Sequence, residues 1–466
     1  MTHIDLPGLL DQLEQTLSPG GVLRGTDVSG RSAGIWRADT IGAAAIVRPR
    51  STEQVSQVLR LCHQYQQPIV THGGLTGLVA GALTQPDEIV LSLELMNHIE
   101  ELDSTGRTLT AQAGVPLQVI QEAAAAANLL FPLDLGARGS CTIGGNMATN
   151  AGGNRVLRYG MARSQLLGLE VVLADGSVVS SMTKMLKNNA GYDIKQMFVG
   201  SEGTLGVITR VIVRLQPAPS SHQVALVACP DFATVTRILN HLDAAFGGTL
   251  SAFEVMWPEF YALVSDAESG CRAPLGDYPL YVLLDTLGSD PSRDKAQFED
   301  VLGELLERGT IADAVIAQTE QEAAELWALR DNVEQVFRFG QPYLFDVSVP
   351  IADMESYRQH VLAAWNRDFP DGHFYVFGHV GDGNLHFCAS VGGYDDAIKA
   401  RLDQGIYGPL KEFDGSVSAE HGIGEEKKAW LASCRSDNEI ALMRLLKHTL
   451  DPLAILNRGK VIDVLQ

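Results

Sequence analysis

The chain has 466 residues, 45% of them hydrophobic and 20% charged, a mix that fits a globular protein and not a disordered one. Its 56 acids against 35 bases leave a net charge of −21 with no basic cluster to offset it, which argues against binding nucleic acid or an anionic membrane surface. The length exceeds what one hydrophobic core organises and predicts two or three domains. The first nineteen residues carry Asp5, Asp11 and Glu14 and lack both the basic start and the apolar core of a signal peptide. Ala43–Val47 then reads as a strand, followed by a helix capped by Ser51 or Thr52 that continues through Leu59 to Tyr65. The next strand, Pro68–Thr71, runs into Gly73-Gly74-Leu75-Thr76-Gly77, where backbone N–H groups can approach an anion with no side chain in the way. Taken alone, that loop is equally a plain glycine-rich turn.

A second glycine cluster runs from Gly136 through Gly139, Ser140, Gly144, Gly145 and Asn146 to Thr149, Asn150, Gly152 and Gly153, with hardly a bulky residue in it. A third, holding Glu202, Gly203 and Gly206, precedes a strand over Val207–Val213. Three separated loops with small polar side chains suit a long ligand such as a dinucleotide better than a single phosphate. Their pattern is not the strand-to-helix G-x-G-x-x-G fingerprint, so a Rossmann domain is not supported. Pro217–Ser221 reads as a linker. Beyond it, strands at Val224–Val227 and Leu280–Leu284 alternate with helical stretches at Ser292–Leu306 and Glu320–Phe337, an α+β pattern.

The chemistry is densest near the C-terminal end. His379 closes the apolar run Phe374–Phe377 and His386 opens Leu385–Ala389, with the turn-forming Gly381-Asp382-Gly383-Asn384 between them. This predicts a β-hairpin with one histidine at each lip. Glu420 and His421 follow the short strand-like run Ser416–Ser418 and precede Gly422 and Gly424. A lone histidine in an apolar strand is more often a core residue than a ligand, but three histidines and a glutamate inside two glycine-flanked turns reverse that expectation. Two imidazoles and a carboxylate suit a borderline divalent cation and leave a coordination position open. The six cysteines, Cys62, Cys141, Cys229, Cys271, Cys388 and Cys434, are scattered without a C-x-x-C pair, so neither an iron–sulfur cluster nor a disulfide framework is indicated. No run reaches the length of a membrane span, and a reducing, cytoplasmic setting is expected.

At the second and third glycine clusters, Gly378–His386, Ala419–Gly424 and Asp451–Lys460, the chain resembles the FAD-dependent D-2-hydroxy acid dehydrogenases. That group contains D-lactate and D-2-hydroxyglutarate dehydrogenases, within the vanillyl-alcohol-oxidase-type (PCMH) flavoproteins. The resemblance implies an α+β protein in three parts: a two-part FAD-binding domain over 1–219, an α+β substrate cap with a metal site over 220–425, and a segment over 426–466 that returns to the FAD domain. It implies that His379, His386 and Glu420 hold a divalent metal, zinc or a similar ion, and that His421 is the general base. By the same likeness Arg330 clamps the substrate carboxylate, while Asn457 and Lys460 return to the flavin region. Members with covalent FAD carry a histidine where Leu75 stands, so non-covalent FAD is expected, with His72 structural. The metal would orient the substrate carboxylate and hydroxyl, His421 would take the proton, and hydride would pass to flavin N5.

Leu344 stands where 2-hydroxyglutarate enzymes have a lysine, and Cys388 where they have an asparagine. Both remove polar partners for a distal carboxylate, which points toward a D-lactate-like acid, with D-2-hydroxyglutarate the alternative. A zinc hydrolase would share the His/His/Glu set but has no use for a dinucleotide platform. A non-catalytic flavin-binding subunit would have no need of His421. The electron acceptor is expected to be a separate partner, an electron-transfer flavoprotein, a quinone or a cytochrome, and a homodimer is the default association.

Overall fold

The computed structural model describes residues 5–463, which fall into two compact units. The first takes residues up to 153, 161–218 and 420 onward; the second takes 154–160 and 219–419.

Among the described residues the first unit holds two larger sheets and a two-stranded pairing of Leu129–Leu130 with Gln216–Pro217. In one, β1 (Val22–Leu23), β2 (Ala45–Val47), β3 (Ile69–His72) and β4 (Ile89–Ser92) lie in the order β1-β2-β4-β3, with β2 and β3 both parallel to β4. The crossover between β2 and β3 is the helix Thr52–Tyr65, whose Ser51 cap accepts from Gln54 N–H and whose Val55, Val58, Leu59 and Cys62 are fully buried. The other sheet is antiparallel, β5 (Ile99–Asp103), β6 (Thr108–Gln112), β7 (Leu166–Val172), β8 (Val178–Ser181) and β9 (Val207–Arg214), in the order β5-β6-β9-β7-β8. One apolar cluster gathers residues from both sheets together with Ile455 and Leu456 near the C-terminus.

That C-terminal stretch is fastened by polar groups. Ile69 N–H donates to the Ile455 carbonyl at 2.7 Å, and Asn457 N–H to the Ile69 carbonyl at 2.8 Å. Below them the buried Lys447 ammonium is held by the Asp451 carboxylate and by the carbonyls of Thr204 and Leu456, each at 2.8 Å. The third glycine loop and the C-terminal turn therefore share one cation.

The second unit is built on a seven-stranded sheet. Its strands are β10 (Ser221–Cys229), β11 (Leu250–Met256), β12 (Leu280–Gly288), β13 (Asp313–Ile316), β14 (Tyr343–Ser348), β15 (His373–Gly378) and β16 (Asn384–Ser390), ordered β13-β10-β12-β11-β15-β16-β14. The hairpin expected around the two histidines is present as β15 and β16, with a single 3-10 turn at Val380–Asp382 between them.

Two boundaries differ from the sequence reading. The helix expected over 320–337 ends at Asp331, because Asn332 leaves helical backbone (ψ 41°) and spends its side chain on the Ser269 carbonyl; a 3-10 stretch, Val333–Phe339, follows. The linker expected over Pro217–Ser221 does hold the change of unit, between Ala218 and Pro219, with Gln216–Pro217 pairing with Leu129–Leu130 before it and Ser221 opening β10 after it. The cap does not extend to residue 425: Glu420–Glu425 go with the first unit, where the Glu202 carboxylate and the Val79 carbonyl hold them. Conversely, Asn154–Gly160 join the second unit, where Arg158 bonds to the Leu287 carbonyl and Leu157 packs on Gly381.

Replacing Lys447 by Met strands the buried Asp451 carboxylate, and urea unfolding followed by circular dichroism is expected to show a loss of about 3–5 kcal/mol.

Candidate functional site

In the second unit the sheet's period of two decides which side chains share a face. Antiparallel register sets Asp346 of β14 opposite His386 of β16, and His386 opposite Phe377 of β15. One step along each strand, on the same face, Leu344 lies opposite Cys388 and Cys388 opposite Tyr375. One step the other way, Ser348 lies opposite Asn384. Asp346 and His386 are both buried.

His379 is placed by a carboxylate that sequence reasoning missed. Glu254, on β11, accepts from His379 Nδ1 at 2.6 Å and from Arg330 Nε at 2.8 Å, and all three side chains are buried. Burial alone would raise the Glu254 carboxyl, but the charges and hydrogen bonds of His379 and Arg330 pull it down to about 2. The guanidinium of Arg330 lies 4.5 Å over the Phe377 ring, with Nη2 3.4 Å from His379 Nε2. The carboxylate that Arg330 meets in the structure is thus internal.

Asp346 was also missed. Its Oδ2 accepts from Ser418 Oγ at 3.0 Å and from Ala419 N–H at 3.1 Å, while Ser416 pairs with Ser348 at the sheet edge. Glu420 and His421 are the next two residues of that chain. Asp346, His386, Glu420 and His421 each offer one ligand atom, and these atoms lie within 4.8 Å of one another. Of the three ligands expected, the structure brings His386 and Glu420 together. It sets His379 beside them, its ring centroid 5.3 Å from that of His386 and its two nitrogens facing Glu254 and Arg330. Asp346 and His421 complete that group of four. Two carboxylates and two imidazoles so close form a donor set that fits a divalent cation, because a cation relieves the repulsion between the acids. Asp346 and Glu254 share a signal the sequence does carry: each is a lone acid inside an apolar strand, a residue buried only when partnered.

In the first unit the glycine loops pack on one another. A Cβ on Gly74 would sit 2.0 Å from the Ser140 carbonyl, and one on Gly144 would sit 2.5 Å from Ala113 Cβ. Gly153, at φ +99°, lies against the Asp134 carbonyl. These glycines serve first to let backbone meet backbone. Gly77, in contrast, has nothing within 4 Å of where its Cβ would be, and Gly139 and Ser140 are exposed. Leu75 takes a left-handed φ of 56° with its carbonyl accepting from Ile35 N–H; Thr76 beside it is half-buried.

Several expected cofactor residues are committed within the protein. Thr149 Oγ1 bonds to the Gly145 carbonyl, Asn150 Oδ1 accepts from Arg163 N–H, and Gly206 packs on Val171 and Phe198. Asn457 ties the first loop to the third: its Oδ1 accepts from Thr71 N–H at 2.9 Å and its Nδ2 donates to the Glu202 carbonyl at 2.8 Å, beside Gly203. Lys460 bonds to the Leu83 carbonyl and to Glu425. Gly153 N–H donates to Glu420 Oε2, with Gly152 buried next to it. The Glu202 carboxylate, expected near the cofactor, accepts from Ile423 and Gly424 N–H.

The cofactor reading has independent support in the same place. Thr71 Oγ1, Thr142 Oγ1 and Asn146 Oδ1 are buried with no hydrogen-bond partner among the described residues. Thr142 Oγ1 lies 2.6 Å from where a Gly73 Cβ would be and 3.3 Å from that of Gly145. Buried polar atoms are nearly always satisfied, so three between the first two loops mark a place for a polar ligand, and FAD fits them. His72 is not part of it: Nε2 donates to the Ala82 carbonyl, and burial pushes its imidazole down to about 4, so it stays neutral.

Comparison with known proteins follows these two regions. Residues 43–181 match the FAD binding domain family and residues 218–461 the family described as FAD linked oxidases, C-terminal domain. The mitochondrial D-2-hydroxyglutarate dehydrogenase of Bos taurus is 40% identical over 92% of this chain and 78% of its own length. That of Xanthomonas citri pv. viticola is 39% identical over 90% and 89%. A Schizosaccharomyces pombe protein provisionally named a mitochondrial D-lactate dehydrogenase is 39% identical over 88% and 80%. Among solved structures, p-cresol methylhydroxylase with substrate bound superposes with a TM-score of 0.80 at 16% identity, over 100% of this chain and 98% of that one. Alkyldihydroxyacetonephosphate synthase does so at 0.77 and 16%, over 98% and 86%. These two likenesses speak to the fold alone.

Gly74→Ala is expected to push the first loop off Ser140 at a cost of about 1–3 kcal/mol. Equilibrium dialysis monitored by flavin absorbance would then show FAD binding weakened by about tenfold or more.

Proposed function

From its place among the FAD linked oxidases, the family of flavin-dependent oxidoreductases to which this chain belongs, we propose that it oxidises a D-2-hydroxy acid with one carboxylate and a short or apolar side chain, such as D-lactate, to the 2-oxo acid. The observation that carries the substrate choice is the strand face beside the Asp346–His386 pair. The next step along it is Leu344, Cys388 and Tyr375, continuous with the apolar cluster of Phe377, Phe260 and Leu329. An acid's second carboxylate brought to that step would lose its water against Leu344 and Cys388, and the Arg330 charge that reaches Cys388 is already paired with Glu254. The alternative substrate, D-2-hydroxyglutarate, is supported by the names of the relatives at 39–40% identity.

FAD, bound non-covalently between the glycine loops where Leu75 offers no nucleophile, supplies the two-electron acceptor. A divalent cation, zinc or manganese by its donors, supplies the positive charge that makes a hydroxyl acidic. The chain's own residues do the rest. Asp346, His386 and Glu420 would hold the cation, with His379 beside His386 and steadied through Glu254. His421, the fourth member of that cluster, is the base that takes the hydroxyl proton, which lets the Cα hydrogen leave as hydride. Arg330, with Nε on Glu254, would clamp the substrate carboxylate through its remaining N–H groups. Reoxidation falls to a separate electron acceptor.

Anaerobic bleaching of the flavin by D- and L-2-hydroxy acids tests this reading. D-Lactate is expected to bleach the protein and L-lactate not, and dialysis against EDTA is expected to stop the bleaching until Zn2+ or Mn2+ is restored. A protein bleached equally after chelation has no catalytic metal. Leu344→Lys is expected to raise the ratio of kcat/KM for D-2-hydroxyglutarate over D-lactate by about tenfold, equivalent to about 1.4 kcal/mol. An unchanged ratio would remove Leu344 from the substrate wall.

A further inference from the structure

Resting on the reading of His421 as the proton acceptor, we propose that Glu202 is a positioning residue for that base: its carboxylate folds the turn from His421 to Gly424 and thereby sets where the His421 backbone stands. The two carboxylate oxygens accept from two successive peptide N–H groups, Ile423 at 2.7 Å and Gly424 at 2.8 Å. Burial raises the Glu202 carboxyl, and the two converging amides with the Lys427 charge oppose that rise by favouring the ionised form. The turn leaves no room for an alternative. Gly422 has φ +90°, and a Cβ there would lie 2.8 Å from Glu202 Oε1. On the far side the Val79 carbonyl accepts from Glu425 N–H at 3.0 Å and would stand 1.9 Å from a Cβ on Gly424. The turn is thus clamped between one carboxylate and one carbonyl.

Glu202 is itself held from behind. Its backbone takes φ 52°, its N–H donates to the Ala148 carbonyl at 2.8 Å, and its own carbonyl accepts from Asn457 Nδ2 at 2.8 Å. Ala148 belongs to the helix Ile143–Thr149, which carries Gly144, Gly145 and Asn146 of the second glycine loop. One covalent and hydrogen-bonded path therefore runs from that loop through Glu202 to the residue beside His421. Glutamate suits this post and glutamine does not: the amide offers one acceptor oxygen for two donors and turns an NH2 toward the other N–H.

The test compares the FAD-loaded full chain with its Glu202→Gln and Glu202→Ala variants, using D-lactate and D-2-hydroxyglutarate in anaerobic stopped-flow. The limiting rate of flavin reduction is expected to fall by about tenfold in the first and about a hundredfold in the second, the scale on which small misplacements act. Apparent substrate affinity and the FAD-to-protein ratio are expected to stay near wild type. Hydrogen exchange by mass spectrometry is expected to show loss of protection in the peptide spanning 420–426 in both variants. Reduction at the wild-type rate overturns the proposal, and so does a rate loss that only tracks lost FAD. Should Glu202→Ala fail to fold, Glu202→Gln decides alone. If neither acid bleaches the wild-type protein, the substrate reading fails instead, and hydrogen exchange still judges whether Glu202 holds the turn.

Discussion

Strand register is the constraint on which the second unit's chemistry depends. Asp346 and His386 lie 40 residues apart, yet the β14–β16 ladder sets them directly opposite on one face, with Phe377 in the next strand. A slip of one residue would turn Asp346 and His386 to the other side and bring Phe345 and Phe387 in their place. The slip is prevented by the opposite face, where Phe345, Val347, Leu385 and Phe387 are buried and have no other apolar home. The site's geometry is thus enforced by hydrophobic residues that take no part in it.

On the same face as Asp346 and His386 lies a chain of buried charge, His379 to Glu254 to Arg330. Taking such groups out of water costs several kcal/mol each unless they are mutually paired. Glu254 meets both neighbours and stays ionised, so the imidazole of His379 is oriented by a fixed carboxylate, as metal-site histidines commonly are. The same economy operates in the first unit. Lys447 and Asn457 join the third glycine loop, β3 and the C-terminal turn through carbonyls and amides that secondary structure leaves unsatisfied.

The chain belongs with the FAD linked oxidases, and relatives at 39–40% identity align over 90–92% of it. Where it departs from the pattern expected of a 2-hydroxyglutarate enzyme, at Leu344 and Cys388, the structure makes the two departures neighbours. Leu344 and Cys388 are cross-strand partners, so both changes alter the same step of the face. The glycine loops carry a related lesson. Much of their smallness serves loop-to-loop packing, and the ligand's place is marked by the orphaned oxygens of Thr71, Thr142 and Asn146, not by the glycines alone.

The sequence by itself determined the local pieces: the Ser51-capped helix, the hairpin bearing His379 and His386, the glycine turns, and the pairing of a flavin-type domain with an α+β partner. The first three follow from periodicity, capping and turn chemistry, which act within a dozen residues; the flavin-type domain follows from the family resemblance. Only the tertiary structure decided that Asp346 stands with His386, Glu420 and His421, that Glu254 holds both His379 and Arg330, and that the Glu202 carboxylate meets the amides of Ile423 and Gly424. The reason is physical: which carboxylate meets which donor is fixed by strand order and loop closure over tens to hundreds of residues, and side-chain type alone does not encode that distance.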